Sequence, residues 1–145
     1  NQVYDTNLIK IEPFSIKCGL RFGHKTCMVK SKLFIFGGFG ELATDAYGKH
    51  LRLSSIEVVD LNNKMNASVL DLDESILGDR IFHSCASFDD KSIYVTYGRS
   101  NPSKLFNNIL KLNVNISEEN VEVNSSHLTI ENINSNVLSR YRHAS

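Results

Sequence analysis

Arginine and histidine recur together in this chain, as Arg21-Phe22-Gly23-His24, Arg80-Ile81-Phe82-His83 and Arg140-Tyr141-Arg142-His143. Successive arginines stand 59 and 60 residues apart. Two kinds of chemistry are open to such a set. Imidazoles ligate metal ions or move protons, and guanidinium groups donate a fork of N–H bonds to carboxylates, phosphates or carbonyl oxygens. Metal ligation needs several donors converging within about 2 Å of one point. Histidines at the same place in successive copies of one unit are carried apart by the repetition. His24, His83 and His143 therefore read as groups whose hydrogen bonds tie strand ends to loops. His50 and His127 lack a partner at ligand spacing and read as loop or surface residues. No metal site is assigned.

The other candidates are sparser. Cys18, Cys27 and Cys85 are odd in number and show no C-x-x-C spacing. Cys27 and Cys85 follow the repeat histidine by three and two residues, and read as small buried thiols of a reducing compartment. Cys85 and His83 would share a strand face. A nucleophile also needs an activating environment and an orienting third group, and the sequence offers neither. The cluster Asp71-Leu72-Asp73-Glu74 lacks the glycine and spacing of a calcium loop and reads as a solvated turn. Four cations remain: Lys49 and Arg52 in one loop, Arg99 and Lys104 in another. In corresponding loops of neighbouring units they would form one patch able to follow a nucleic-acid phosphate backbone. The plainer alternative is a set of solvated loop tips. No catalytic or cofactor-binding residue is assigned.

The elements that would position these residues repeat with them. Lys25 to Val29 alternates polar and apolar, Lys30-Ser31 makes a tight turn, and Leu33 to Phe36 is a continuous apolar run ending in Gly37-Gly38. Short runs rich in aromatic and β-branched residues between turn formers read as buried strands. Glu41 to Leu53 reads as a long polar loop, Ser54 to Leu61 as a third strand, and Ala67 to Leu72 as a fourth. The second unit offers Ser84 to Phe88, the turn Asp89-Asp90, Ser92 to Tyr97, a loop from Arg99 to Phe106, Asn107 to Val114, and Val121 to Ile130. No helical periodicity stands out. Four antiparallel strands per unit, repeated, mark an all-β chain with the pattern of β-propeller blades. The expected division is residues 1–20 as the end of one blade, 21–79 and 80–139 as two full blades, and 140–145 as the start of another.

Lysine plus arginine equals aspartate plus glutamate at 16 each, so no global basic field points to nucleic acid or membrane. No apolar run reaches membrane-spanning length, and no signal peptide is visible. The Asn-x-Ser triplets at Asn66, Asn115 and Asn124 read as coincidence in an intracellular, cytoplasmic protein. The repeat phase at both ends gives the expectation of a fragment of a longer polypeptide.

Glycine after an apolar strand, followed by an aliphatic strand ending Asp60-Leu61-Asn62, resembles the kelch repeat. Kelch units are about 50 residues long and these are longer. They also lack the tryptophan usual in the outer strand. A narrower likeness rests on Arg21 to His24, Phe36 to Glu41, Gly48 to Ser54, Arg80 to Ser84, Tyr97 to Pro102 and Arg140 to Ser145. Together these resemble the propeller of the tRNA wybutosine-synthesizing protein 4 family, also called leucine carboxyl methyltransferase 2-like. Tyr97 stands where the relatives carry a glycine.

The resemblance implies a kelch-type propeller joined to an N-terminal S-adenosylmethionine-dependent methyltransferase that modifies a guanosine of phenylalanine tRNA. The chain itself has no glycine-rich cofactor loop opening a helix. S-adenosylmethionine would belong to the parent enzyme, and the present segment would be its non-catalytic accessory. tRNA and the methyltransferase domain are then the expected partners, with Lys49, Arg52, Arg99 and Lys104 as RNA contacts. The alternative is a kelch module that binds protein partners, as in ligase adaptors or scaffolds.

Overall fold

The computed structural model describes residues 18–42, 50–62, 67–70, 73–101, 103–117 and 121–128. In chain order the elements are β1 (Lys25–Val29), β2 (Lys32–Phe36), β3 (Phe39–Leu42), β4 (His50–Arg52), β5 (Ile56–Asp60) and β6 (Ala67–Val69). They continue with α1 (Glu74–Leu77), β7 (Ser84–Ser87), β8 (Ser92–Thr96), β9 (Ile109–Ile116) and β10 (Val121–Leu128). The chain is all-β. Strands β1-β2-β5-β6 and β7-β8-β9-β10 form two four-stranded antiparallel sheets, and β3-β4 is a separate hairpin. Among the described residues neither sheet closes on itself.

Two expectations are corrected. The segment Glu41 to Leu53 is not simply a loop, because β3 and β4 pair across it. Phe39 anchors that hairpin: its N–H and C=O exchange bonds of 2.8 and 2.9 Å with Phe22. A one-turn helix, α1, also occurs where helix was not expected. Asp73 caps it by accepting from the Ser75 N–H at 2.8 Å, as an N-cap carboxylate does. The strand expected from Ala67 to Leu72 is observed over Ala67–Val69, and Asp71 and Leu72 lie outside the described residues.

The two sheets agree at the level of single torsions. Gly37 and Gly38 have φ of 53° and 96°, and Tyr97 and Gly98 have 54° and 91°. Gly23 at 67° corresponds to Phe82 at 53°. Left-handed backbone costs a non-glycine residue about 1–2 kcal/mol, so Tyr97 and Phe82 are held there by their surroundings. The holding bonds match. Gly37 N donates to Ser55 O and Tyr97 N to Asn108 O, at 3.2 and 3.3 Å. Leu53 N donates to Gly38 O and Phe106 N to Gly98 O, at 2.9 and 3.0 Å. At Gly38 and Gly98 an added Cβ would stand 2.8 Å from the carbonyl oxygens of Phe22 and Ile81 respectively, so both glycines are fixed by close approach.

These correspondences decide how the sheets pack. Cross-strand pairing puts Cys27, Phe34 and Val58 on one row of the first sheet, and Cys85, Val95 and Leu110 on one row of the second. Both rows enter a single core with Phe36, Ile56, Ile93 and Leu112. In the shared register, however, Phe34 corresponds to Tyr94 and not to Val95. Side chains alternate between faces along a strand. The sheets therefore bury opposite faces of one repeated unit and stack head to tail. Phe34, Ile93, Val95 and Leu110 are completely buried at this contact, worth roughly 1.5–3 kcal/mol each before the entropy of ordering. On the far face of the second sheet Tyr94 is partly exposed, and Phe88, 82% exposed, packs against it.

Candidate nucleic-acid interface

The repeated arginines hold the glycine ends of the second strands. Arg21 Nη1 donates to Gly37 O at 3.2 Å, and its guanidinium forms an ion pair with Glu57, whose side chain is 10% exposed. Arg80 occupies the same position and keeps the bond to the corresponding carbonyl, Tyr97 O, but its other partners differ. It donates to Tyr97 O at 2.7 Å, Leu77 O at 3.1 Å and Asn108 Oδ1 at 3.1 Å, and lies 4.1 Å from the centre of the Phe106 ring. Leu110 fills the place of Glu57. Burial lowers the pKa of both arginines, that of Arg80 to about 10, so it remains a cation at neutral pH.

His24 and His83 occupy corresponding backbone positions, against Gly38 and Gly98. Their burial differs because the first sheet covers the second copy: Phe36 meets His83 edge-on at 6.5 Å, and His83 is fully buried. Burial, the nearby Arg21 and Lys25 oppose protonation of His24, whose pKa lies below the usual histidine value. His143 lies outside the described residues. Among the described residues, no three His, Cys, Asp or Glu side chains converge on a point that could hold a metal. No helix among them is long and apolar enough to cross a membrane.

At the glycine end of the sheets the loops gather aromatic rings and cations. Phe22 stacks on Phe39 at 4.8 Å, His50 meets Phe22 edge-on at 4.9 Å, and Phe39 lies 6.2 Å from Phe82. The Arg99 guanidinium sits 5.4 Å from the centre of the Phe82 ring. His50 Nδ1–H donates to Gly40 O at 2.8 Å, which orients that ring. Phe39 pairs with Arg52 across β3 and β4. Arg52 in turn reaches Asp79 at 3.7 Å, and Asp79 Oδ2 accepts from Ser100 Oγ at 2.8 Å. Asp79 thereby links the first unit's hairpin to the second unit's loop.

Of the four expected cations, Arg52 and Arg99 flank this aromatic group. Lys104 is exposed, 5.6 Å from the Phe106 ring, and Lys49 lies outside the described residues. Sequence reasoning missed Phe22, Phe39, Phe82, His50 and Asp79. A signal was present, since Phe22 and Phe82 sit inside the repeated Arg-x-x-His. Phe22 is half exposed while Phe39 and Phe82 are partly buried behind it, and an exposed ring beside guanidinium groups can stack on a base while the cations meet phosphate.

The opposite, hairpin-turn end carries an open depression of about 460 Å³ lined by Lys30, Asp89, Asp90, Lys91, Asn113 and Asn124. Its charges balance, and Asp89 is engaged in its own turn with Lys91 N at 2.8 Å. Compared with known protein families and with curated proteins, the chain matches none.

Proposed function

We propose that the two sheets are neighbouring blades of a kelch-type β-propeller, and that the aromatic and cationic loop end contacts tRNA for a methyltransferase in the same cytoplasmic polypeptide. Head-to-tail stacking supports the first part. Each copy buries one face against the opposite face of the next, an arrangement that extends by rotation until a ring removes the free faces. The observation that carries the second part is the grouping of Phe22, Phe39 and Phe82 with Arg52 and Arg99 at one end of both sheets. Rings supply stacking surfaces, and guanidinium groups supply phosphate contacts without reading sequence.

S-adenosylmethionine would be held elsewhere in the parent polypeptide. Gly37-Gly38 leads into a strand rather than a helix, and both of its amides are already engaged, with Ser55 O and Arg80 O. Methyl transfer belongs to another part of the polypeptide, and this segment orients the RNA.

The test is tRNA binding by the full chain across a salt series. Replacing Lys49, Arg52, Arg99 and Lys104 with alanine is expected to weaken binding and to flatten the dependence of log K on log salt by roughly 0.7–0.9 for each phosphate no longer neutralised. Wild-type affinity at every salt concentration in the fourfold variant would remove the RNA reading. Capture of a protein partner that the same variant fails to capture would favour the protein-binding alternative.

A further inference from the structure

The first strands of the two sheets, β1 and β7, pack against each other and set the thiols of Cys27 and Cys85 side by side on the shared core, where the two groups interact. Both are free and half-buried, and both pack against the shared core. Stacking explains the meeting. In the shared register Cys85 corresponds to Thr26, one residue away from Cys27, so the two thiols project from opposite faces of the repeated unit. Head-to-tail packing makes those two faces one interface. Ser87 Oγ donates to Met28 O at 2.7 Å and fastens the same strands beside the pair.

The two sulfurs are not equivalent. The bond to Cys85, and then burial, push the Cys27 thiol up; the bond from Cys27, aided by the Lys25 charge, brings the Cys85 thiol down. The neighbouring Cys27 thiol and the Lys25 charge both favour ionisation at Cys85, and ionisation produces the form of sulfur that attacks an oxidant.

We propose that Cys27 and Cys85 form a reversible disulfide across the sheet–sheet contact, with hydrogen peroxide as oxidant and a low-molecular-weight thiol as reductant. The Cys85 sulfur attacks one peroxide oxygen, an S–O bond forms, the O–O bond breaks, and the departing oxygen leaves as water after taking a proton. The Cys27 sulfur then attacks the Cys85 sulfur, the S–S bond forms, and the hydroxyl group leaves with the Cys27 proton as a second water. Two thiols lose two electrons and two protons, and the peroxide gains them. Two equivalents of thiol reverse the bond. The cross-link pins neighbouring sheets at their first strands and removes freedom from the unfolded chain. It is independent of any RNA role.

The experiment treats the full chain with hydrogen peroxide, blocks remaining thiols by alkylation, and maps unreduced peptides by mass spectrometry. The expected result is a Cys27–Cys85 peptide pair lighter by two hydrogens than the separate peptides, abolished by dithiothreitol, with Cys18 alkylated. Cys18→Ser should preserve the linked pair, and Cys27→Ser should leave a Cys85 sulfenic acid that dimedone traps. Linkage through Cys18, or recovery of Cys27 and Cys85 as alkylated thiols after Cys18 has oxidised, would overturn the assignment. Mapping the unsubstituted protein keeps the outcome independent of whether any variant folds.

Discussion

Replacing Arg80 with alanine should destabilise the protein far more than removing any loop cation. The side chain is among the largest fully buried groups, and it donates to three acceptors: Tyr97 O, Leu77 O and Asn108 Oδ1. Losing such a bond costs about 1–3 kcal/mol, and because only the Leu77 bond is fully buried and the other two are part-buried, the lower end applies. Three at the lower end give roughly 3 kcal/mol, with removal of the cation from the Phe106 ring adding up to about 1 and relief of cation burial taking some back. Near 3 kcal/mol, a chain of this size should lose about 6–12 °C of melting temperature. Arg80→Lys keeps the charge but not the fork, so it should recover less than half of the loss. Arg52→Ala removes a 3.7 Å pair whose side chains are each 37% exposed, and should stay within about 0.5 kcal/mol of wild type. Urea and thermal unfolding of the three full-chain variants make the comparison. If Arg80→Ala unfolds within about 1 kcal/mol of wild type, the view that this guanidinium holds the second sheet's glycine end is wrong.

Gly38→Ala and Gly98→Ala should each cost about 2–4 kcal/mol by urea unfolding, because the new Cβ would meet carbonyl oxygen at 2.8 Å and φ is strongly positive at both. Acidification should also weaken the fold through His24. Its folded pKa lies below its unfolded one, so the unfolded chain takes up the proton first; stability is complete above about pH 6.5 and falls as pH drops toward the folded pKa. His24→Gln should flatten that part of the stability–pH curve, and an unchanged acid limb would contradict the assignment. In tRNA titrations Phe22→Ala should lower affinity without changing the salt slope, since stacking releases no counterions; a changed slope would mean that the ring acts through the cations.

The sheets were legible because their signals are local. Apolar runs at Leu33 to Phe36 and Ser92 to Tyr97, bounded by turn formers, correspond to β2 and β8, and Lys25 to Val29 coincides with β1. What escaped the sequence depends on partners distant in the chain. The β3-β4 hairpin looks polar because Phe22, from before the first strand, supplies its apolar support. That Tyr97 and Phe82 keep the left-handed backbone of Gly37 and Gly23 was not legible, because their surroundings and not their residue types enforce it. Glu57 sits in an otherwise apolar strand and resembles a solvent-facing charge, yet it is buried beneath Arg21. Cys27 and Cys85 seem slightly out of register when the copies are aligned, and that single-residue offset is what lets them meet. At the loop end the cations could be read directly, whereas the rings between them required the register of Phe39 with Arg52.

Methyl-labelled nuclear Overhauser spectra of the full chain test the head-to-tail stacking most directly. Cross-peaks should join Val58 of the first sheet to the Val95 and Leu110 methyls of the second. If instead Ile35 and Val59 show contacts with Val95 and Leu112, the sheets bury the same face of each copy, and the rotational stacking on which the propeller reading rests is contradicted.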